Sequence, residues 1–318
     1  MKFLERFSIN IYSFLAAGGL FRRRRERLFL KMEETGSLRR VLRRGISMLN
    51  DETRAEVRGW VVAQQTKEGG FPDRAGNSDL YYTLFGMFLA EALETKQVLP
   101  ALKDYVSGNT RKQDRQGIDL FCMTILSGSL FPGDTGNERF AGEIRRITEN
   151  TRMLQTGYTP FLVILSLLSV HDYAGAALAL KSMGEYTSGA DKPCTVVAAR
   201  QMVTYLKSGK RASNTGNSIQ GAAGYTGPFN SFYRENGGFA ALAHTREPDL
   251  LSTATALFVL RFMDFDLRMI RPGCLDYING LYRDGGFAAV GPDNDTDVEY
   301  TFYGLLALGA LNSEDEQN

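Results

Sequence analysis

The stretch ENGGFAALAHTREPDLLST (235–253) returns as RDGGFAAVGPDNDTDVEYT (283–301) and, a little shorter, as KEGGFPDRAGNSDLYYT (67–83). Each copy holds Gly-Gly-Phe, a loop of small or polar residues, and an aspartate four residues before a threonine. A chain that repeats one phrase is built of repeated units, each burying its apolar face on its neighbours. The aspartate-to-threonine mark stands at Asp79/Thr83, Asp191/Thr195, Asp249/Thr253 and Asp297/Thr301, with weaker copies at Asp119/Thr124 and at Gln155/Thr159. Successive marks lie 36 to 58 residues apart. That interval holds two helices and their turns.

After each mark comes an apolar segment, such as LFGMFLAEAL, FLVILSLLSV or FYGLLALGAL, that is hydrophobic on most sides and must be buried. The segments before the marks, RAEVRGWVVAQQ and ERFAGEIRRITENTRML, mix charged and apolar positions as half-exposed helices do. The Gly-Gly pair allows a reversal with positive φ, the phenylalanine anchors it, and the aspartate or threonine accepts hydrogen bonds from the free amides of the inner helix. Together these features predict an all-α fold over residues 51–311. About six outer and inner helix pairs close into an α/α toroid with the buried helices lining the middle.

The net charge of +1 hides an asymmetry: residues 1–50 carry twelve Lys/Arg against four Glu, so the remainder is acidic, down to the tail at 312–318. The first segment, MKFLERFSINIYSFLAAGGLFRRRRER, spaces Leu4, Phe7, Ile11, Phe14 and Leu15 helically and is too short for a membrane span. Four arginines behind it oppose translocation, which predicts a retained, cytoplasmic arm. Such an arm can lie on an anionic inner membrane as a peripheral contact, dock on an acidic protein, or pack on the body as an outer helix. Nucleic acid is disfavoured as a partner, because no aromatic residues interleave with the basic run. Three dispersed cysteines exclude a disulfide framework, and two histidines, His171 and His244, exclude a multi-histidine metal site. The Gly- and Ser-rich stretch from Lys207 to Pro228 reads as a long surface loop or a lid.

The copied phrase resembles the repeat shared by protein prenyltransferase β-subunits and squalene–hopene cyclases, over roughly residues 51–311. The resemblance implies an α/α toroid whose central, aromatic-lined funnel accepts an isoprenoid or lipid-like molecule. It also implies positions for chemistry, which can be compared one by one. The prenyltransferase zinc site takes an aspartate and a cysteine spaced D-x-C and a later histidine; here Asp249 matches, but Leu251 and Tyr300 hold the other two places. The resemblance therefore predicts no metal and no other cofactor. Of the diphosphate contacts, the pair upstream of that aspartate corresponds to Ala243 and Arg246, with His244 between them, and a histidine position corresponds to Asp191.

The cyclases protonate an alkene through D-x-D-D-T. The last copy here reads Asp297-Val298-Glu299-Tyr300-Thr301, which keeps acids at the first and third positions. A carboxylic acid held neutral beside a carboxylate in an apolar cavity is a proton donor. Asp297 and Glu299 are thus the catalytic candidates; Asp79, Tyr82, Asp191, His244, Arg246, Asp249, Tyr300 and Tyr303 are the candidates for substrate contact. The same residues have a plainer reading, in which the aspartates are helix N-caps and Glu299 sits in an acid-preferring first turn. Two functions stay open: an isoprenoid enzyme without zinc, prenyltransferase-like or cyclase-like, and a non-catalytic toroid that binds a lipid or a partner protein.

Overall fold

The computed structural model describes residues 38–110, 117–149, 159–183, 192–208 and 226–312. Twelve α-helices are found among them: α1 (Leu38–Ser47), α2 (Asp51–Ala63), α3 (Leu80–Ala92), α4 (Leu99–Thr110), α5 (Ile118–Leu130), α6 (Gly136–Glu149), α7 (Thr159–Ser169), α8 (Tyr173–Ser182), α9 (Cys194–Ser208), α10 (Leu250–Phe262), α11 (Arg271–Asn279) and α12 (Val298–Leu311). Five very short strands, β1 (Phe71–Pro72), β2 (Ser78–Asp79), β3 (Tyr282–Arg283), β4 (Gly286–Ala288) and β5 (Thr296–Asp297), form the turns that lead into α3 and α12.

The helices without a polar face are the central ones. α12 buries twelve of its fourteen residues, so it has no side to give to water, whereas α2 buries only Val57 and Val61. α3, α5, α7, α9, α10 and α12 each pack on the next, and α12 returns to α3. The ring is closed. Outer helices α2, α4, α6, α8 and α11 lie against α3, α5, α7, α9 and α12. This is the all-α toroid that the repeats predict.

The repeated phrase has the same geometry in its three well-kept copies. The phenylalanine pairs with the aspartate across a short antiparallel contact, Phe71 with Asp79, Phe239 with Asp249 and Phe287 with Asp297. Each aspartate caps its helix: Asp79 accepts from the Tyr81 and Tyr82 amides, Asp249 from Ser252 at 2.7 Å, and Asp297 from Tyr300 at 2.8 Å. The threonine has a different task from the one the sequence suggests. Thr83, Thr253 and Thr301 are fully buried, and their hydroxyls accept from the backbone N–H of Phe71, Phe239 and Phe287 at 2.9, 2.9 and 3.1 Å. Each threonine satisfies a phenylalanine amide that the sharp Gly-Gly turn carries into the core.

The first glycine of each pair is required twice over. Gly69, Gly237 and Gly285 have φ of 91°, 82° and 94°, and they press on the next outer helix. A Cβ at Gly237 would stand 2.0 Å from the Gly273 carbonyl oxygen of α11. Gly285 presses on Trp60 of α2, so the last repeat packs on the first outer helix and seals the ring.

α1, placed with the basic arm in the sequence, is part of the wall. It buries Val41, Leu42 and Ile46 and crosses α12 so closely that a Cβ on Gly45 would meet Leu305 O at 1.9 Å. The boundary at residue 50 therefore falls after a helix that the toroid needs. The arm proper, residues 1–37, the loop at 209–225 and the acidic tail at 313–318 lie outside the described residues.

Candidate functional site

The inner helices enclose a cavity of about 230 Å³. Every one of the six contributes to its wall: Phe85 and Phe88 from α3, Phe121 and Ile125 from α5, Leu162 from α7, Met202 from α9, Phe258 from α10, and Phe302 and Tyr303 from α12. Aromatic rings chain along one side, with Tyr81–Phe85 centroids 4.9 Å apart, Phe85–Phe302 5.1 Å and Phe302–Tyr303 5.4 Å. Such a wall offers apolar surface and the negative faces of several rings.

At the end of the cavity where the inner helices begin, the wall carries one phenol backed by an acid. Tyr81 lines the cavity, and its hydroxyl donates to Glu299 Oε1 at 2.5 Å. Glu299 is only 8% exposed and lies behind Tyr81, away from the wall itself. Burial pushes its carboxyl above the usual range and the neighbouring Asp297 charge adds to that, while the Tyr81 hydrogen bond and Arg74 oppose it. Burial also raises Asp297, opposed by the Tyr300 amide and by Arg74, whose Nε lies 3.3 Å from Asp297 Oδ2. Tyr82 is raised by burial and by both carboxylates; Tyr300, under the Arg74 guanidinium at 5.4 Å, is pushed up to about 12 by burial first.

The candidates separate into groups. Asp297, Glu299, Tyr82 and Tyr300 come together around Arg74, and Tyr303 lines the cavity. Asp79 and Asp249 are caps; Asp249 Oδ2 is buried without a hydrogen-bond partner. His244 and Arg246 are exposed beside a surface depression with Arg234 and Glu235, apart from the cavity wall. Asp191 lies outside the described residues. Tyr81 and Arg74 escaped the sequence reading. Tyr81 had a signal: it stands two residues after Asp79, as Glu299 stands two after Asp297 and Leu251, also on the wall, two after Asp249. Arg74 had none, since 223 residues separate it from its partner.

The zinc set implied by the family resemblance meets a poor donor set here. Leu251 presents aliphatic carbon to the cavity, and the Tyr300 phenol is held neutral at ordinary pH, so Asp249 has neither a thiolate nor an imidazole beside it from those positions. Among the described residues no group of three or more His, Cys, Asp or Glu could hold a metal ion.

Fold and site thus define a closed α/α ring around an apolar, aromatic cavity with an acid pair at one end. A protein-family model for the prenyltransferase alpha-alpha toroid domain matches residues 39–115 and 197–318, well over half the chain, so the chain belongs to that family. The three well-kept phrases fall inside the matched stretches, and the weak marks at Thr124 and Thr159 fall between them. No curated protein and no solved structure matches the chain. No described helix is long and apolar enough to cross a membrane.

Proposed function

We propose that the toroid is an isoprenoid-handling enzyme that works without zinc, with a neutral isoprenoid chain held in the central cavity and Glu299, beside the Asp297 carboxylate, acting first as acid and then as base. The observation that carries this is the Tyr81–Glu299 hydrogen bond, which ties a buried acid to the wall of an otherwise apolar, ring-lined space. The Tyr81 hydroxyl on the wall gives its proton to an alkene carbon of the ligand while a protonated Glu299 behind it restores the phenol: the new C–H bond forms from the π pair and leaves a carbocation facing Phe85, Phe302 and Tyr303. Loss of a proton from a neighbouring carbon, through the Tyr81 phenol, to the Glu299 carboxylate closes the cycle. Atoms balance as an isomerisation or cyclisation, and no co-reactant is consumed.

Farnesol titrated into the full-length protein, followed by native mass spectrometry, tests the binding step. One molecule per chain in the native protein and none in Ala199→Trp, which fills the cavity from α9, is the expected result. Equal binding to both proteins would place the ligand elsewhere, and no binding to either would remove the isoprenoid reading. Under the same proposal residues 1–37 bring the toroid to an anionic membrane, on the strength of their basic charge alone.

A further inference from the structure

Glu299 is buried and Asp297 half-buried at the head of α12, and the Asp297 charge makes Glu299 harder to ionise, so their surroundings decide which of the two keeps a proton. Asp297 is surrounded by groups that favour its charge. Its Oδ1 accepts the Tyr300 amide, its Oδ2 faces Arg74, and it sits at the positive end of α12. Glu299 has a neutral phenol as its hydrogen-bond donor and little exposure to water. The other titratable groups around the pair are Tyr82 from α3 and Tyr300 from α12, with Asp249 from α10 acting on the far side of Tyr300.

Arg74 is exposed, but its place is fixed. It projects from the turn between β1 and β2, which Asp73 closes by accepting the amides of Ala75 and Asn77 at 2.9 and 2.8 Å, and it rests over the Tyr300 ring. We propose that Arg74 is a positioning residue that assigns the charge within the acid pair: it holds Asp297 as the carboxylate and leaves the proton on Glu299. The purpose of this division rests on the function proposed above, but its existence does not.

Infrared titration of the protonated-carboxyl band in the full-length chain tests it without any ligand, from about pH 4, where ordinary Glu ionises, up to neutrality. Asp249, raised by its own burial, is replaced by Asn throughout, and on that background the protein should keep one protonated carboxyl after the bulk of the acids has ionised. Glu299→Gln should lose that late band and Asp297→Asn, which retains a capping side chain, should keep it. Adding Arg74→Gln to Glu299→Gln should restore a late band, now from Asp297, whereas adding Arg74→Lys should not. A late band that survives in Glu299→Gln and vanishes in Asp297→Asn would put the proton on Asp297 and overturn the proposal. So would a double variant, folded by its thermal transition, in which the band fails to return. Farnesol binding is measured separately, so a failed charge assignment and a failed isoprenoid reading cannot be confused.

Discussion

Tyr81 and Glu299 hold the same place in their repeats, two residues after the capping aspartate, and they meet across the seam where α12 closes on α3, phenol to carboxylate at 2.5 Å. Repeat symmetry brings equivalent positions to one rim, and sequence divergence made one of them a donor and the other an acid. The contact therefore depends on ring closure. It cannot form in an isolated repeat.

Because Glu299 is raised in the folded state, its effect on stability has a definite sign. The folded state holds the proton more tightly than the unfolded chain, so Glu299 supports the fold fully below its unfolded value of about 4.3 and loses that support as pH rises through its folded pKa. Glu299→Gln should flatten the decline in stability above about pH 4.3. Urea unfolding of both proteins across that window measures it, and parallel curves would show that Glu299 is ionised in the folded state at ordinary pH.

The threonines of the phrase should be costly to lose, and for a specific reason. Thr301→Val keeps the shape but strands the Phe287 amide in the core, which costs about 1–3 kcal/mol, while Thr301→Ser keeps the acceptor. Among the described residues the Thr124 hydroxyl, in the weak second copy, bonds to Leu120 O within its own helix, a carbonyl that the helix serves anyway. Thr124→Val should therefore cost clearly less than Thr301→Val by chemical denaturation. Equal losses would mean that burial, and not the phenylalanine amide, explains the threonine.

Glycine substitutions separate turn geometry from packing. Gly237→Ala combines positive φ with a 2.0 Å approach to Gly273 O and should cost at least about 2 kcal/mol. Gly59, on the exposed side of α2, has nothing within 4 Å, and Gly59→Ala should stabilise by up to about 1 kcal/mol. Thermal unfolding of the two variants should move in opposite directions.

The toroid was legible because its signals are local and repeated: the Gly-Gly turn, the capping aspartate and the helices apolar all round recur along the chain. The threonine's task was not legible. Asp and Thr both rank as N-caps, and nothing in a linear string shows that the phenylalanine amide is carried into the core. The basic count over residues 1–50 groups α1 with the arm through Arg39, Arg40, Arg43 and Arg44, while Val41, Leu42, Gly45 and Ile46 form its buried face. Of the candidate site, Asp297 and Glu299 stand out in the sequence and their contacts with Arg74 and Tyr81 do not. Arg74 and Tyr81 reach it only through the closing of the ring, a contact between the first and last repeats that periodicity cannot announce.

The basic charge of residues 1–37 makes a prediction of its own. Deleting them should reduce flotation with anionic vesicles at low salt, and high salt should remove the difference, because each near-surface cation contributes roughly 1 kcal/mol that screening abolishes. Equal flotation of both proteins at either salt would leave the segment without a membrane role.

Chemistry provides the sharpest separation between acid and cap. Asp297 both caps α12 and balances Arg74, so Asp297→Ala should lose about 1 kcal/mol of stability from the cap alone, whatever it does to turnover. Glu299 has no cap to lose. Glu299→Gln preserves its volume and an acceptor for Tyr81 while removing the exchangeable acid proton, so it should abolish conversion of a bound isoprenoid and leave farnesol binding within a few-fold of native. Tyr81→Phe keeps the ring on the wall and takes away the hydroxyl that links Glu299 to the cavity; it should lower turnover as severely as Glu299→Gln does. If Glu299→Gln left every measured isoprenoid conversion unchanged while Asp297→Ala lowered only the melting temperature, the acid pair would have no chemical role. DVEYT would then be the capped start of a buried helix, as DLYYT and DLLST are.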